Sequence, residues 1–173
     1  MKISQNVNAR LLFIATFLFY SASGTAQTNL KISDNTNSTG ALPVTLSISK
    51  NSEAPGTDMI HVCVLKAVNV SDQPVSLKIS AINMNCEKKN TINMEQEVYW
   101  TEQGIAGSLS GITGNKMIPA HGSLEFNVRL IRPLNTPLNT WNCTEVKAIG
   151  ANDIIISNSI VIETFIPDPK DFR

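Results

Sequence analysis

The stretch MIHVCVLKAVNVSDQPVSLKIS, from Met59 to Ser80, decides the fold class of this chain. In its second half Val75, Leu77 and Ile79 alternate with polar residues. Side chains that repeat with a period of two place one face of a β-strand in a core and the other face in water. The second half therefore predicts a half-buried strand.

The first half of the stretch is apolar on both faces. One face carries Cys63, Leu65 and Ala67, and the other carries Val62, Val64 and Val68. A strand that is apolar on both sides is expected in the middle of its sheet. Turn-forming residues separate the two halves, from Asn69 to Pro74, and a proline is accepted there because no ladder hydrogen bond is needed. The sequence predicts a β-hairpin as the nucleus of an antiparallel protein.

The same alternation recurs along the chain. It predicts strands at Leu42 to Ile48, where Pro43 favours a sheet edge, at Met94 to Thr101 with Val98 and Trp100 inward, at Gly122 to Arg132, at Thr144 to Ala151 and at Asp153 to Ile166. No window of a dozen residues after the N-terminal segment shows the apolar spacing of a helix. We expect an all-β, antiparallel two-sheet immunoglobulin-like sandwich of about seven or eight strands.

The N-terminal segment, Met1 to Ala26, has the three parts of a secretory signal. Lys2 and Arg10 precede the apolar run Leu11 to Tyr20, and small residues end at Ala26. The apolar run is shorter than the roughly 20 residues that span a bilayer, so cleavage after Ala26 is expected. The sequence thus predicts an extracytoplasmic protein, secreted or periplasmic, with no membrane insertion after signal cleavage.

The 147 residues that would remain are the size of one domain. Residues 27–40 are polar and aperiodic and read as a flexible leader, residues 41–167 as the sandwich and residues 168–173 as a tail. Two of the 14 bases precede the cut, which leaves 12 bases, 14 acids and a net charge of −2. That balance argues against nucleic acid or an anionic membrane surface as a partner.

Three cysteines in an exported chain favour one disulfide and one odd thiol. Cys63 lies in the middle of a strand, whereas Cys86 and Cys143 lie in polar surroundings at strand ends. We expect the pair Cys86 and Cys143. The other two pairings, and three free thiols, stay open at this point.

Two pieces, VNVSDQPVSLKIS (Val68 to Ser80) and MIPAHGSLEFNVRL (Met117 to Leu130), resemble recurring elements of bacterial extracellular immunoglobulin-like modules such as CARDB-type adhesion-related domains. The resemblance implies adhesion, spacing or display, and it brings no catalytic residues. The chain departs from antibody domains because no Trp lies between Cys63 and Cys86.

Met59, His61 and Cys63 would share one strand face, and thioether, imidazole and thiolate are ligands that suit Cu(I). The same face is expected in the core, where Met and Cys are common fillers. Core packing is therefore the favoured interpretation, and no metal or cofactor is predicted.

Two groups of side chains suggest sugar chemistry. Glu95 and Glu97 could supply the paired carboxylates of a glycoside hydrolase, although acids on a solvated strand face are ordinary. Exposed aromatic rings at Tyr99, Trp100 or Trp141 could stack on a sugar.

No catalytic constellation emerges, so the prediction is a non-catalytic module acting in protein interaction, adhesion or surface structure, with a protein or glycan partner. One alternative is a carbohydrate-binding module that uses the aromatic residues. Another is a subunit of a surface fibre or secretion complex, in which the leader Gln27 to Gly40 inserts as a strand into a neighbour.

Overall fold

The computed structural model describes residues 28–33, 41–51, 59–87, 89–168 and 170. Within these ranges the regular structure consists of β-strands and two three-residue 3-10 helices. The strands are β1 (Thr28–Ser33), β2 (Val44–Asn51), β3 (Ile60–Asn69), β4 (Val75–Met84), β5 (Glu95–Trp100), β6 (Ser108–Leu109), β7 (Ile112–Thr113), β8 (Lys116–Ile118), β9 (Ser123–Ile131), β10 (Thr140–Ile149) and β11 (Ser159–Ile166), and the 3-10 helices are Ile105–Gly107 and Ala151–Asp153.

The strands form two antiparallel sheets. The larger has the order β1-β11-β10-β4-β7-β6, with β8 also paired to β4, and the smaller has the order β2-β3-β9-β5. Eight of the described strands have six residues or more. The predicted two-sheet sandwich is confirmed.

The hydrophobic core lies between the facing surfaces of the two sheets. In β3 and β9 every second side chain is buried, and the same alternation covers most of β4. The largest fully buried apolar side chains are Trp100, Phe126, Leu46, Leu65, Leu77, Ile79, Ile118, Leu130, Ile160, Ile162 and Val44. This burial is the main force that holds the two sheets together.

The connection between β3 and β4 corrects one prediction. β3 lies between β2 and β9, in the middle of its sheet as expected, but β4 belongs to the opposite sheet. The expected hairpin is therefore wrong, and the chain crosses from one layer to the other. Leu65 of β3 and Leu77 of β4 are buried in the same hydrophobic core, which they enter from opposite sheets.

Asn69 holds the corner where the chain crosses. Its side chain is buried, and its Nδ2 donates to the carbonyl oxygens of Gln73, Ile118 and Pro119 at 2.8 to 3.1 Å. Its Oδ1 accepts hydrogen bonds from the backbone N–H and the hydroxyl of Ser71. A buried amide with all its polar atoms occupied fixes a corner of this kind.

The leader also differs from expectation. Residues Thr28–Ser33 form β1, which pairs with β11 along its whole length at the edge of the larger sheet. The register sets Leu30 opposite Ile162 and Ile32 opposite Ile160. The expectation of a flexible leader is thus wrong for this segment, because the edge of β11 offers its backbone groups for pairing along six residues. Residues 1–27 and 34–40 lie outside the described ranges, and so does most of the expected tail.

In the described part of the chain, no helix has the length and apolar character needed to cross a bilayer.

Candidate functional site

The structure joins Cys86 to Cys143, with their Cα atoms 5.4 Å apart, and Cys63 is a buried thiol outside this disulfide. The predicted pairing is confirmed. Cys143 is opposite Met84 on one side and Glu163 on the other in the strand register. The disulfide therefore ties the segment after β4 to the middle of the larger sheet.

A line of polar groups runs through the interior between the two sheets. The Sγ of Cys63 lies 3.5 Å from Nε2 of His61, and Nδ1 of His61 lies 3.1 Å from Oγ1 of Thr164 on the opposite sheet. His61 and Thr164 are each 2 % exposed and Cys63 is 1 % exposed. The line crosses the core from β3 to β11.

Burial raises the pKa of the Cys63 thiol from 9.0 to about 12, because the thiolate would lose its hydration. The thiol is therefore protonated at neutral pH and can donate its S–H to Nε2 of a neutral imidazole. In that arrangement Nδ1 carries the imidazole proton and donates it to Oγ1 of Thr164. The opposite tautomer, in which Thr164 donates to Nδ1 and Nε2 donates to Sγ, fits the same distances.

Met59 does not join this line. It is 37 % exposed, and its Sδ accepts a long contact of 3.8 Å from Nη2 of Arg132. His61 and Cys63 share the core face as predicted, but the expectation that Met59 shares it too is wrong, because β3 begins only at Ile60.

Trp100, one of the three proposed sugar-stacking residues, is fully buried. Its ring meets Phe126 edge to face at 5.9 Å, and its Nε1 donates to the carbonyl of Gly114 at 2.9 Å. The predicted inward orientation of Val98 and Trp100 in β5 is confirmed, and the alternative in which Trp100 is an exposed platform is therefore wrong.

Trp141 is half-buried on the outer face of the larger sheet and is covered by its neighbours. Phe165 lies 4.9 Å from it between ring centres, and Nζ of Lys89 lies 3.6 Å from its ring. The same Lys89 pairs with the buried Glu163 at 2.7 Å. The ring of Trp141 is thus engaged within the protein.

Tyr99 is half-buried on the outer face of the smaller sheet, opposite Asn127. Glu97 lies on the same strand and forms an ion pair with Arg129 at 2.5 Å, while Glu95 is exposed. Tyr99 and Trp141 lie on different sheets, so the structure does not bring the proposed sugar-stacking residues together.

A group of exposed aliphatic side chains lies on the outer face of the larger sheet. Leu109 of β6 is opposite Ile112 of β7, which is opposite Ser80 of β4. Ile82 and Met84 follow Ser80 on the same face of β4, because side chains alternate along a strand. Leu109 is 62 % exposed, Ile82 52 % and Met84 38 %. We call Ile82, Met84, Leu109 and Ile112 the β4–β7 patch.

Charges at the border of this patch are neutralised. Glu145 is opposite Ile82, and its carboxylate pairs with Lys147 at 2.7 Å and accepts a hydrogen bond from the hydroxyl of Ser159. The patch is therefore an apolar surface beside a neutral polar border, which is the composition of many protein-binding surfaces.

The outer face of β4 could have indicated this patch from the sequence, because its residues do not stay polar to the end of the strand. The outer face of β4 reads Ser76, Lys78, Ser80, Ile82 and Met84, so it changes from polar to apolar along the strand. Such a change on a face that alternation assigns to solvent is a sign of a binding surface.

The comparisons with known proteins leave the family open. No protein-family model and no curated protein matches the chain. Similar solved structures include a FixG-related protein from Vibrio parahaemolyticus (11 % identity, TM-score 0.45, 73 % of this chain and 97 % of that one) and the N-terminal domain of PorA (10 %, 0.34, 76 % and 93 %).

A family 123 glycoside hydrolase from Clostridium perfringens is also similar, with 8 % identity and a TM-score of 0.43 over 74 % of this chain. The similarity spans 28 % of that enzyme. These values are too low to carry an argument about function. The β-sandwich fold stands on the structure itself, and the resemblance to CARDB-type modules stays a prediction.

Proposed function

We propose that this protein is a secreted or periplasmic, non-catalytic module that binds a protein partner through the β4–β7 patch. The observation that carries the proposal is that Ile82, Met84, Leu109 and Ile112 lie on the same outer face of the larger sheet, on the neighbouring strands β4, β7 and β6. The disulfide between Cys86 and Cys143 supports an oxidising compartment.

The physical argument concerns the cost of leaving these side chains in water. Full burial of a Leu, Ile or Met side chain is worth about 1.5–3 kcal/mol, so covering the exposed half of each would contribute about 1 kcal/mol. The patch has no charge of its own, and the adjoining Glu145 is paired with Lys147. A partner with an apolar surface therefore loses little charge hydration when it binds here.

Photo-crosslinking in the native host tests the proposal. A benzophenone amino acid replaces Ile82 in the patch or, as a matched control, the exposed Thr45 on the smaller sheet. We expect one discrete adduct from position 82, and we expect it to disappear when Leu109→Glu is added. Equal adducts from both positions, or an adduct at position 82 that persists with Leu109→Glu, would contradict the proposal.

A surface-fibre or secretion-complex subunit is the second candidate function, and β1 is the observation that favours it. β1 occupies the edge of β11 through six backbone pairs, from Thr28 with Thr164 to Ser33 with Ser159. The same edge could accept the corresponding strand of a neighbouring copy, since strand addition needs only the backbone register and alternating side chains.

Cross-linking between strands separates the two candidates. Lys31 and Val161 are directly opposite in the register, so Lys31→Cys and Val161→Cys are made in a Cys63→Ala background. A fibre subunit would give disulfide-linked ladders from the double variant, which has two reactive thiols per chain, and covalent dimers when the single variants Lys31→Cys and Val161→Cys are mixed. A double variant that forms only an internal bond, together with single variants that do not cross-link, would exclude strand exchange.

A further inference from the structure

We propose that Cys63 and His61 form a buried two-donor site for a soft monovalent cation, of the Cu(I) and Ag(I) class. This goes beyond the proposed protein-binding role, because the site lies between the sheets and the β4–β7 patch lies on the outer face. The proposal rests on the geometry of the two donors, on the group that orients the imidazole and on the charge that the interior accepts.

The two donor atoms already face each other. Sγ of Cys63 and Nε2 of His61 are 3.5 Å apart, and both residues project from the same face of β3. Metal bonds to imidazole nitrogen and thiolate sulfur are roughly 2.0–2.3 Å long. A cation between the two atoms therefore needs a displacement of less than about 1 Å to bring both bonds close to one line.

Thr164 prepares the imidazole for this role. Its Oγ1 lies 3.1 Å from Nδ1 of His61, on the side of the ring away from Cys63. When Nδ1 donates its proton to that hydroxyl, the lone pair of Nε2 points at the thiol, and this is the tautomer that metal binding requires. Ligating histidines commonly have their second ring nitrogen fixed in this way.

The buried position selects the kind of cation. His61 and Cys63 are almost fully buried, and Val128 and Leu130 are opposite them in the strand register. An uncompensated charge in such surroundings is costly. A thiolate with a monovalent cation is neutral, whereas a divalent cation would leave one positive charge in the core.

The number and type of the donor atoms also favour a soft monovalent cation. In the described ranges, no group of three or more His, Cys, Asp and Glu side chains is placed to hold a metal ion. Zn²⁺ in structural sites is bound by four ligands, and Ca²⁺ and Mg²⁺ are bound by oxygen donors. One sulfur and one imidazole nitrogen suit a soft cation that accepts few ligands.

The binding step is an exchange of a proton for a metal ion. The S–H bond of Cys63 breaks, the proton leaves to the buffer, and a bond forms between Sγ and the cation. The oxidation state of the metal does not change, and the disulfide between Cys86 and Cys143 takes no part.

Titration with Ag(I), which needs no reductant, tests the proposal on the folded, disulfide-bonded protein in chloride-free buffer. We expect native mass spectrometry to show one Ag(I) per chain, with thiolate-to-metal absorption in the ultraviolet. Cys63→Ser and His61→Gln should each weaken binding by more than about 100-fold, because each removes one of the two ligands and loss of a residue that only supports a ligand already costs up to about 100-fold. His121→Gln, which changes an exposed imidazole paired with Asp72, should leave binding unchanged.

A second measurement uses the unmodified protein and does not depend on the folding of any variant. Addition of Ag(I) should shift the ¹⁵N resonance of His61 Nε2 while Nδ1 keeps its proton, and Zn²⁺ at the same concentration should shift neither. Binding that survives Cys63→Ser, an unmoved His61 resonance, or an equal response to Zn²⁺ would overturn the proposal.

Discussion

The ammonium nitrogen of Lys89 lies 3.6 Å from the centre of the Trp141 ring, between that ring and the buried carboxylate of Glu163. Lys89 belongs to the segment that follows β4, whereas Trp141 and Glu163 belong to β10 and β11. Lys89 thus links the segment after β4 to β10 and β11. The disulfide between Cys86 and Cys143 links the same segment to β10 covalently.

Replacing this cation should destabilise the fold. Lys89→Met keeps the length of the side chain but removes the charge that faces Glu163, whose side chain is 8 % exposed. We expect the free energy of unfolding to fall by about 2 kcal/mol, because a buried carboxylate loses a paired charge. Urea unfolding followed by tryptophan fluorescence measures the change.

Lys78→Met is the matched control for that experiment. Lys78 pairs with Asp153 at 2.8 Å, but the carboxylate is 78 % exposed. A surface ion pair is worth about 0–1 kcal/mol, so this variant should unfold close to the wild type. If the two variants lost equal stability, the burial of Glu163 would not be what makes Lys89 important.

The corner formed by Asn69 should be similarly sensitive. Asn69→Ala leaves the carbonyl oxygens of Gln73, Ile118 and Pro119 without the donor that Nδ2 supplies. We expect a loss of about 3 kcal/mol in urea unfolding, since uncompensated buried polar groups cost about 1–3 kcal/mol each.

Two further variants test whether the amide donors of Asn69 are what stabilises this corner. Asn69→Asp keeps an acceptor for Ser71 but loses the amide donors and adds a charge, so it should be at least as destabilising. Asn127→Ala removes one hydrogen bond to Thr101 in an exposed position and should cost under about 0.5 kcal/mol. A stable Asn69→Asp variant would show that the donors are not what holds the corner.

The fold class could be predicted from the sequence because a strand with one face in the core has an apolar residue at every second position. β3, β4 and β9 keep this alternation over nine or ten residues. The sequence could not place β3 and β4 in separate sheets. A polar turn between two apolar strands has the same composition whether the strands pair or cross the core, and the difference lies in the contacts of Asn69 with Ile118 and Pro119, about 50 residues away.

The candidate site was harder to predict from the sequence for the same reason, because strand pairing brings together residues that are distant in the chain. Ile82 and Leu109 are 27 positions apart, and the pairing of β4 with β7 and of β7 with β6 places them on the same face of the sheet. The alternation of β5 predicted Trp100 to face inward with Val98, and the structure confirms it, so the sugar-stacking alternative fails for this residue. The disulfide was predicted because Cys63 lies in the middle of an apolar strand, whereas Cys86 and Cys143 lie in polar sequence, although all three cysteines are buried in the structure.

Removal of the disulfide provides another test. Cys86 and Cys143 are separated by 57 positions, and a loop of that length restricts the unfolded chain by about 4 kcal/mol in the chain-entropy account. The double variant Cys86→Ala/Cys143→Ala should lose stability of this size in urea unfolding. Cys63→Ala, which removes a thiol that closes no loop, should lose less, and the reverse order would contradict the assignment.

The buried thiol of Cys63 should make the fold sensitive to alkali. Its pKa is raised from 9.0 to about 12 in the folded protein, so the unfolded chain gives up this proton at a lower pH than the folded one. Below about pH 8 both states keep the proton and the group contributes no pH dependence. Between pH 9 and pH 12 the folded state binds more protons, so the free energy of unfolding falls as the pH rises, by up to about 4 kcal/mol from this group.

Urea midpoints of the wild type and of Cys63→Ala at pH 7, 9 and 10.5 measure this contribution. The wild type should lose about 2 kcal/mol more than the variant between the last two values, because lysines and tyrosines titrate alike in both proteins and cancel. Spectra are collected within minutes of mixing, so that the thiolate of the unfolded chain does not rearrange the disulfide. Parallel pH profiles for the two proteins would mean that the thiol of Cys63 ionises as easily in the folded core as in water.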